Sequence, residues 1–162
     1  MPFRLSTRLP KFDDLGLYRY SVTIYVADRR PVFVTEPAVD LVRTQLEITA
    51  DGNCVEITAY SFMPDHLHVL AQGVSDHARF LEFMRLFKHR SSYHWKRRHG
   101  HKLWQRRYID RILRDREHTR TVARYILENP VRAGLVDSPE IYPFSGSFVM
   151  RMTELFDWVR RT

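Results

Sequence analysis

Apolar and polar positions along this chain fall into blocks of two different periods. Residues 17–26, LYRYSVTIYV, are rich in β-branched and aromatic types and predict a first strand. DRRPVF follows as a proline-containing turn. From Glu36 to about Ala50 the spacing becomes helical: Val39, Val42, Leu46 and Thr49 recur on one side, with Leu41 and Ile48 flanking. DGN at 51–53 signals a turn, after which CVEITAYSFM and HLHVLAQG predict two strands joined tightly at Pro64-Asp65. A long helix comes next, with Asp76 as its candidate cap and Phe80, Phe83, Met84, Phe87 and Ser91 as its apolar stripe. HGH at 99–101 ends it.

LWQRRYIDRIL then reads as a strand, with Tyr108, Asp110 and Ile112 on one face and Ile109, Arg111 and Leu113 on the other. A further helix runs from about Glu117 to Glu128 and should stop at Asn129-Pro130, because proline pushes the preceding residue out of helical geometry. NPVRAGLV contains the glycine expected past a helix end. Residues 137–162 read as a turn-rich arm closing on a short helix, MTELFDWVRR. The order strand, helix, strand, strand, helix, strand, with one helix appended, is the split βαβ arrangement of a ferredoxin-like antiparallel sheet in an α+β fold. The expected organisation is one domain over residues 1–162, with its core at about 17–136 and an arm at 137–162.

Charge sharpens this picture. The chain carries a net +7, yet residues 85–114 alone hold 11 Lys/Arg against the single acid Asp110. The rest of the chain is slightly acidic, so the excess positive charge lies in one thirty-residue segment. Such a cluster suits a polyanion, most often nucleic acid, and its alternative is a solvated basic helix face. Lys88, Arg90, Lys96, Arg97, Arg98, Lys102, Arg106 and Arg107 are the candidate phosphate contacts. Trp95, Trp104, Tyr93 and Tyr108 are candidates for stacking on unpaired bases, with core packing as the alternative for each and above all for Trp104. The single cysteine, Cys54, rules out an internal disulfide and a cysteine-based zinc site. With no signal-peptide core and no membrane-length apolar run, a cytoplasmic protein without a membrane partner is expected.

Candidate chemistry centres on MPDHLHVL. His66 and His68 are two apart on a strand, so both project from one face and can reach one divalent ion. Taken alone such a pair is more often two surface or hydrogen-bonded histidines, and two ligands leave a metal site incomplete. YILEN places Tyr125 and Asn129 four apart on one helical face, where Asn129 could complete the site and Tyr125 could present its phenol. A tyrosine on a helix face is also an ordinary packing residue. Tyr60, Tyr93 and Tyr108 are rivals of Tyr125 for the role of nucleophile.

Together, MPDHLHVL, LWQRRYIDRIL and ARYILENPVRAGLV, in that order, resemble the single-strand HUH tyrosine transposases of bacteria, and most of all their REP-associated branch. The resemblance runs from about Tyr18 to Phe148. It implies that His66 and His68 bind Mg²⁺ or Mn²⁺ and that Tyr125 attacks a phosphodiester of single-stranded DNA, leaving a 5′-phosphotyrosine link and a free 3′-OH. It also implies capture of hairpin-forming DNA by a monomer or homodimer. Asn129 stands where such transposases usually have a glutamine helping to hold the metal. The competing readings are a non-catalytic nucleic-acid-binding module on the same fold and a hydrolase of small phosphate esters. The concentrated positive charge argues against the second of these.

Overall fold

A computed structural model of the chain describes residues 16–114 and 116–161. The expectation of no signal-peptide core concerns an N-terminal stretch that lies mostly outside the described residues. Five strands, β1 (Arg19–Tyr25), β2 (Val55–Met63), β3 (His66–Gly73), β4 (Ile109–Leu113) and β5 (Ser145–Gly146), form one sheet in the order β4-β1-β3-β2-β5. Every pairing is antiparallel. The first four strands have the ferredoxin-like order that the pattern predicts. Pro64 and Asp65 alone join β2 to β3, so Met63 pairs with His66 and the hairpin register is fixed.

Helices α1 (Glu36–Gly52) and α2 (Phe80–His99) cover one face of this sheet. Their apolar stripes meet Val22, Ile24, Ile57, Phe62, Leu67 and Val69, and six rings fill the middle: Phe33, Phe62, Phe83, Phe87, Trp95 and Trp104. Burying side chains of this size stabilises by roughly 1.5–3 kcal/mol each, which makes this layer the main source of stability. Ser91 belongs to the stripe because it closes a polar chain within it. Trp104 Nε1 donates to Ser91 Oγ at 2.8 Å, and Ser91 Oγ donates to Phe87 O at 2.7 Å. The other face carries α3 (Arg116–Arg132) and α4 (Met152–Arg160), packed through Ala59, Leu70, Leu113, Ala123, Ile126, Leu127, Leu155 and Val159.

Two expectations are corrected. Asp76 does not cap α2: the helix starts at Phe80 after an extended Arg79, and Ser75 instead organises the preceding turn by accepting from His77 N at 2.9 Å. Nor does α3 stop before Pro130, which lies inside the helix. Proline lacks the N–H that would bond Ile126 O, but this loss falls in the last turn, where the chain closes on a cap of its own. Leu135 N donates to Pro130 O at 2.9 Å and Gly134 N to Val131 O at 2.9 Å, with Gly134 at φ 73°. The tail predicted as an arm with a short helix also supplies β5, which pairs with Tyr60 and Ser61 of β2. Among the described residues no helix is long and apolar enough to cross a membrane.

Candidate active site

Alternation along β3 sends Leu67, Val69 and Ala71 into the core beneath α1 and α2, and His66 and His68 to the α3 side. There the two imidazoles stand nearly perpendicular, with Nε2 of one 3.1 Å from Nε2 of the other. Their outer nitrogens are held separately. His66 Nδ1 donates to Asp65 Oδ1 at 2.6 Å, and His68 Nδ1 lies 3.0 Å from Thr23 Oγ1 on the neighbouring strand. A hydroxyl can donate or accept, so Thr23 lets His68 present Nε2 either as N–H toward His66 or as a lone pair. Holding Nδ1 in this way is how proteins orient imidazole ligands.

Electrostatics keep both rings neutral. Burial first, then the nearby His66 and Arg132 charges, push the His68 pKa down to about 3. Burial also lowers His66, against the opposing pull of Asp65. Burial would raise Asp65, but hydrogen bonds from His66 and Arg29, and their charges, hold its carboxyl below the ordinary range. Neutral imidazole is the form that ligates metals.

The helix brings Tyr125 to this pair. Its ring centroid is 6.3 Å from that of His68, edge to face, and the side chain is 46% exposed, so the phenol is open to a ligand. Asn129, one turn on, is half-buried on the same side of α3. Arg132 completes the row. Its guanidinium sits 3.9 Å from the Tyr125 ring centroid, one nitrogen donates to Tyr125 O, and another is 3.5 Å from Glu128 Oε2. Because α3 continues through Pro130, residues 125, 129 and 132 share one face, a spacing the sequence contains but an early helix end conceals.

At the other end of the pair stands a second tyrosine–arginine stack. Tyr25, the register partner of His66, lies 5.4 Å from it between ring centroids. Arg29 covers Tyr25 at 4.2 Å and pairs with Asp65 Oδ2 at 2.8 Å. Sequence reasoning does not single out Asp65, Thr23, Arg29 or Arg132. Asp65 is signalled there by its adjacency to His66, and the others only by pairing and register.

Could this set hold a divalent ion? Two adjacent imidazoles bound to one ion by bonds of about 2.1 Å would have their nitrogens about 3 Å apart, which matches the facing Nε2 atoms. Among the described residues no group of three or more His, Cys, Asp or Glu converges, so further ligands would come from Asn129, substrate or water.

The predicted DNA contacts divide. Lys96, Arg97, Arg98, Lys102, Arg106 and Arg107 are exposed and Arg90 is half-buried. Lys88 Nζ donates to Gln105 O at 2.9 Å and Arg106 O at 2.8 Å, tying α2 to the following loop. Trp104 is a correction: at 2% exposure, with its N–H on Ser91, it packs the core and offers no face to a base. Trp95 is buried likewise, whereas Tyr93 is 52% exposed. Most of the basic helix lies behind the sheet, away from the histidines. The loop after it turns back toward them, with Gln105 N donating to Tyr25 O at 2.9 Å.

Comparison with known proteins identifies the fold and the family. The sequence model of the family described as "Transposase IS200 like" matches residues 15–129. A Haemophilus influenzae protein provisionally named a REP-associated tyrosine transposase is 26% identical over 160 residues, covering 91% of this chain and 89% of its own. A solved structure of a REP-associated tyrosine transposase bound to a REP hairpin superposes with a TM-score of 0.71 at 22% identity, over 86% of this chain and 81% of that one. A transposase structure from Deinococcus radiodurans, also provisionally named, gives a TM-score of 0.52 at 24% identity, over 76% of this chain and 96% of that one. With the family matched over most of its length and the same fold in its structural neighbours, the chain belongs to the IS200-like transposases, with REP-associated tyrosine transposases among its relatives.

Proposed function

We propose that this transposase cleaves and rejoins single-stranded DNA next to a hairpin, through a covalent link to Tyr125. The observation that carries the reading is the exposed Tyr125 ring set edge-on to His68 and backed by Arg132. In this reading the phenol loses its proton, its oxygen bonds phosphorus, and the P–O3′ bond breaks to leave a 3′-hydroxyl and a 5′-phosphotyrosine. Attack by a 3′-hydroxyl reverses the step and rejoins strands without ATP, as DNA transposition or REP-type hairpin processing requires.

His66 and His68, with Asn129, are the residues that would hold Mg²⁺ or Mn²⁺. Such an ion, when bound, withdraws charge from a phosphate oxygen and makes the phosphorus more electrophilic. Arg132 fixes the ring of the nucleophile and adds positive charge beside the phosphate. The exposed cations of α2 and the following loop would position the strand through its phosphates, and Tyr93 offers a ring for an unpaired base. The hairpin as partner rests on the structural relative that binds one.

Incubation with a REP hairpin bearing single-stranded flanks and Mn²⁺, followed by a denaturing gel, tests the reading. A covalent protein–DNA band that disappears in Tyr125→Phe supports it. A native shift without any covalent band would favour a binding module instead.

A further inference from the structure

Two tyrosine–arginine stacks bracket the histidine pair, and only one of them contains the proposed nucleophile. The rings make a chain of contacts, Tyr25 to His66 at 5.4 Å, His66 to His68 at 4.7 Å, and His68 to Tyr125 at 6.3 Å. Arg29 lies on Tyr25 as Arg132 lies on Tyr125. We infer that Tyr25 and Arg29 form a second nucleotide subsite, in which Arg29 holds the DNA phosphate on the 5′ side of the scissile bond; this rests on the reading of Tyr125 given above.

The turn that carries Arg29 is built for placement. Asp28 and Arg29 both have positive φ, 58° and 54°, a conformation that side-chain-bearing residues rarely adopt and that two in succession adopt only under constraint. The constraint comes from all sides. Val26 N donates to Asp65 O at 2.9 Å, Ala27 N to Leu103 O at 2.8 Å, Phe33 N to Pro64 O at 3.0 Å, and Arg30 Nη2 to Lys102 O at 2.6 Å. What this turn delivers is one guanidinium, its side chain 52% exposed, held 4.2 Å from the Tyr25 ring centroid with Nε bonded to Asp65. Its two terminal nitrogens make no hydrogen bond among the described residues. A planar, preorganised pair of N–H donors facing solvent is suited to a phosphate's oxygens.

Chemistry supplies the polarity. In an in-line displacement the attacking and leaving oxygens lie on opposite sides of phosphorus. With Tyr125 at the His68 end, the 3′-oxygen departs toward the His66 end, where Arg29 stands. Arg29 would therefore grip the strand that ends in the new 3′-hydroxyl and keep it in place for rejoining. Asp65 uses one oxygen on Arg29 and the other on His66, so the grip is joined to an imidazole of the pair.

The test uses the full chain with Tyr125→Phe, so that binding is read without cleavage, and a REP hairpin whose stem fixes the register of its flanks. Arg29→Ala should weaken binding about tenfold and lower the salt slope by about 0.7, the value for one phosphate of a single strand. Arg29→Lys, which keeps the charge but not the paired donors, should restore the salt slope and only part of the affinity. A walk of single neutral methylphosphonates along the flanks should show one position whose cost disappears in Arg29→Ala. Adducts of the protein with native Tyr125 then locate the scissile bond, and that position must lie on its 5′ side. Unchanged affinity and slope, a cost that persists at every position, or a sensitive position on the 3′ side would each overturn the subsite. Hairpin binding without any adduct would refute the Tyr125 reading and leave the walk to judge Arg29 alone.

Discussion

The two faces of the sheet divide the work of this protein. Behind it, α1 and α2 clamp an aromatic core in which Trp95, Trp104, Phe83 and Phe87 are at most 2% exposed, and the excess cations ride on the outside. In front, α3 packs through small and aliphatic residues and leaves a partly buried polar row, His66, His68, Thr23 and Asp65, beside the exposed Tyr125. Chemistry needs groups that are fixed yet reachable, and a dense core can supply only the first. In the proposed reading one face stores stability and the other carries the chemistry.

The largest test of this division is the double substitution His66→Ala/His68→Ala. Cleavage should fall at least about a thousandfold and Mn²⁺ binding should vanish, while the melting temperature hardly moves. Cleavage at the wild-type rate, measured on gels, would remove the front face from the chemistry. On the back face, Trp104→Ala should cost about 3–5 kcal/mol in urea unfolding and leave the affinity of the folded fraction unchanged. A fall in DNA affinity at full stability would instead make Trp104 a stacking residue.

A pH titration separates the faces more finely. Unfolded His68 takes up a proton below about pH 6.5, whereas the folded residue resists until about 3. The unfolded state therefore binds more protons in that window, and metal-free protein should lose stability as pH falls from about 6.5 toward 3. Chemical denaturation of His68→Asn should show a shallower decline across the same range. The smallest effect concerns the cations. Removing Arg106 and Arg107 together should flatten the salt dependence of hairpin binding by about 0.7 for each phosphate no longer neutralised. Equal binding slopes in the variant and the parent would show that these two only solvate the surface.

Much of this was legible in the sequence, for physical reasons. Strands betray their faces through a period of two, so HLH announced two imidazoles on one side, and the tight Pro64-Asp65 turn announced the hairpin. Pairing across the sheet is not written locally, which is why Thr23 and Tyr25 became visible only through their register with His68 and His66. Proline misled at the end of α3. Its penalty is real in a helix interior but modest in a last turn closed by Gly134, and reading it as a stop hid Arg132 from the Tyr125 face. The tryptophans were ambiguous because composition cannot tell a buried ring from a stacking one. Trp104 was decided by its hydrogen bond to Ser91 across thirteen residues. A two-residue strand such as β5 is too short to show any period at all.

Under the proposed function the front face carries one nucleophile, and its nearest rival is Tyr25, which stands by His66 much as Tyr125 stands by His68. The most direct measurement is proteolysis of the trapped protein–DNA adduct and identification of the modified peptide by mass spectrometry. A nucleotide is expected on Tyr125, in the peptide that contains YILEN. A nucleotide on Tyr25, Tyr93 or Tyr108 would contradict it.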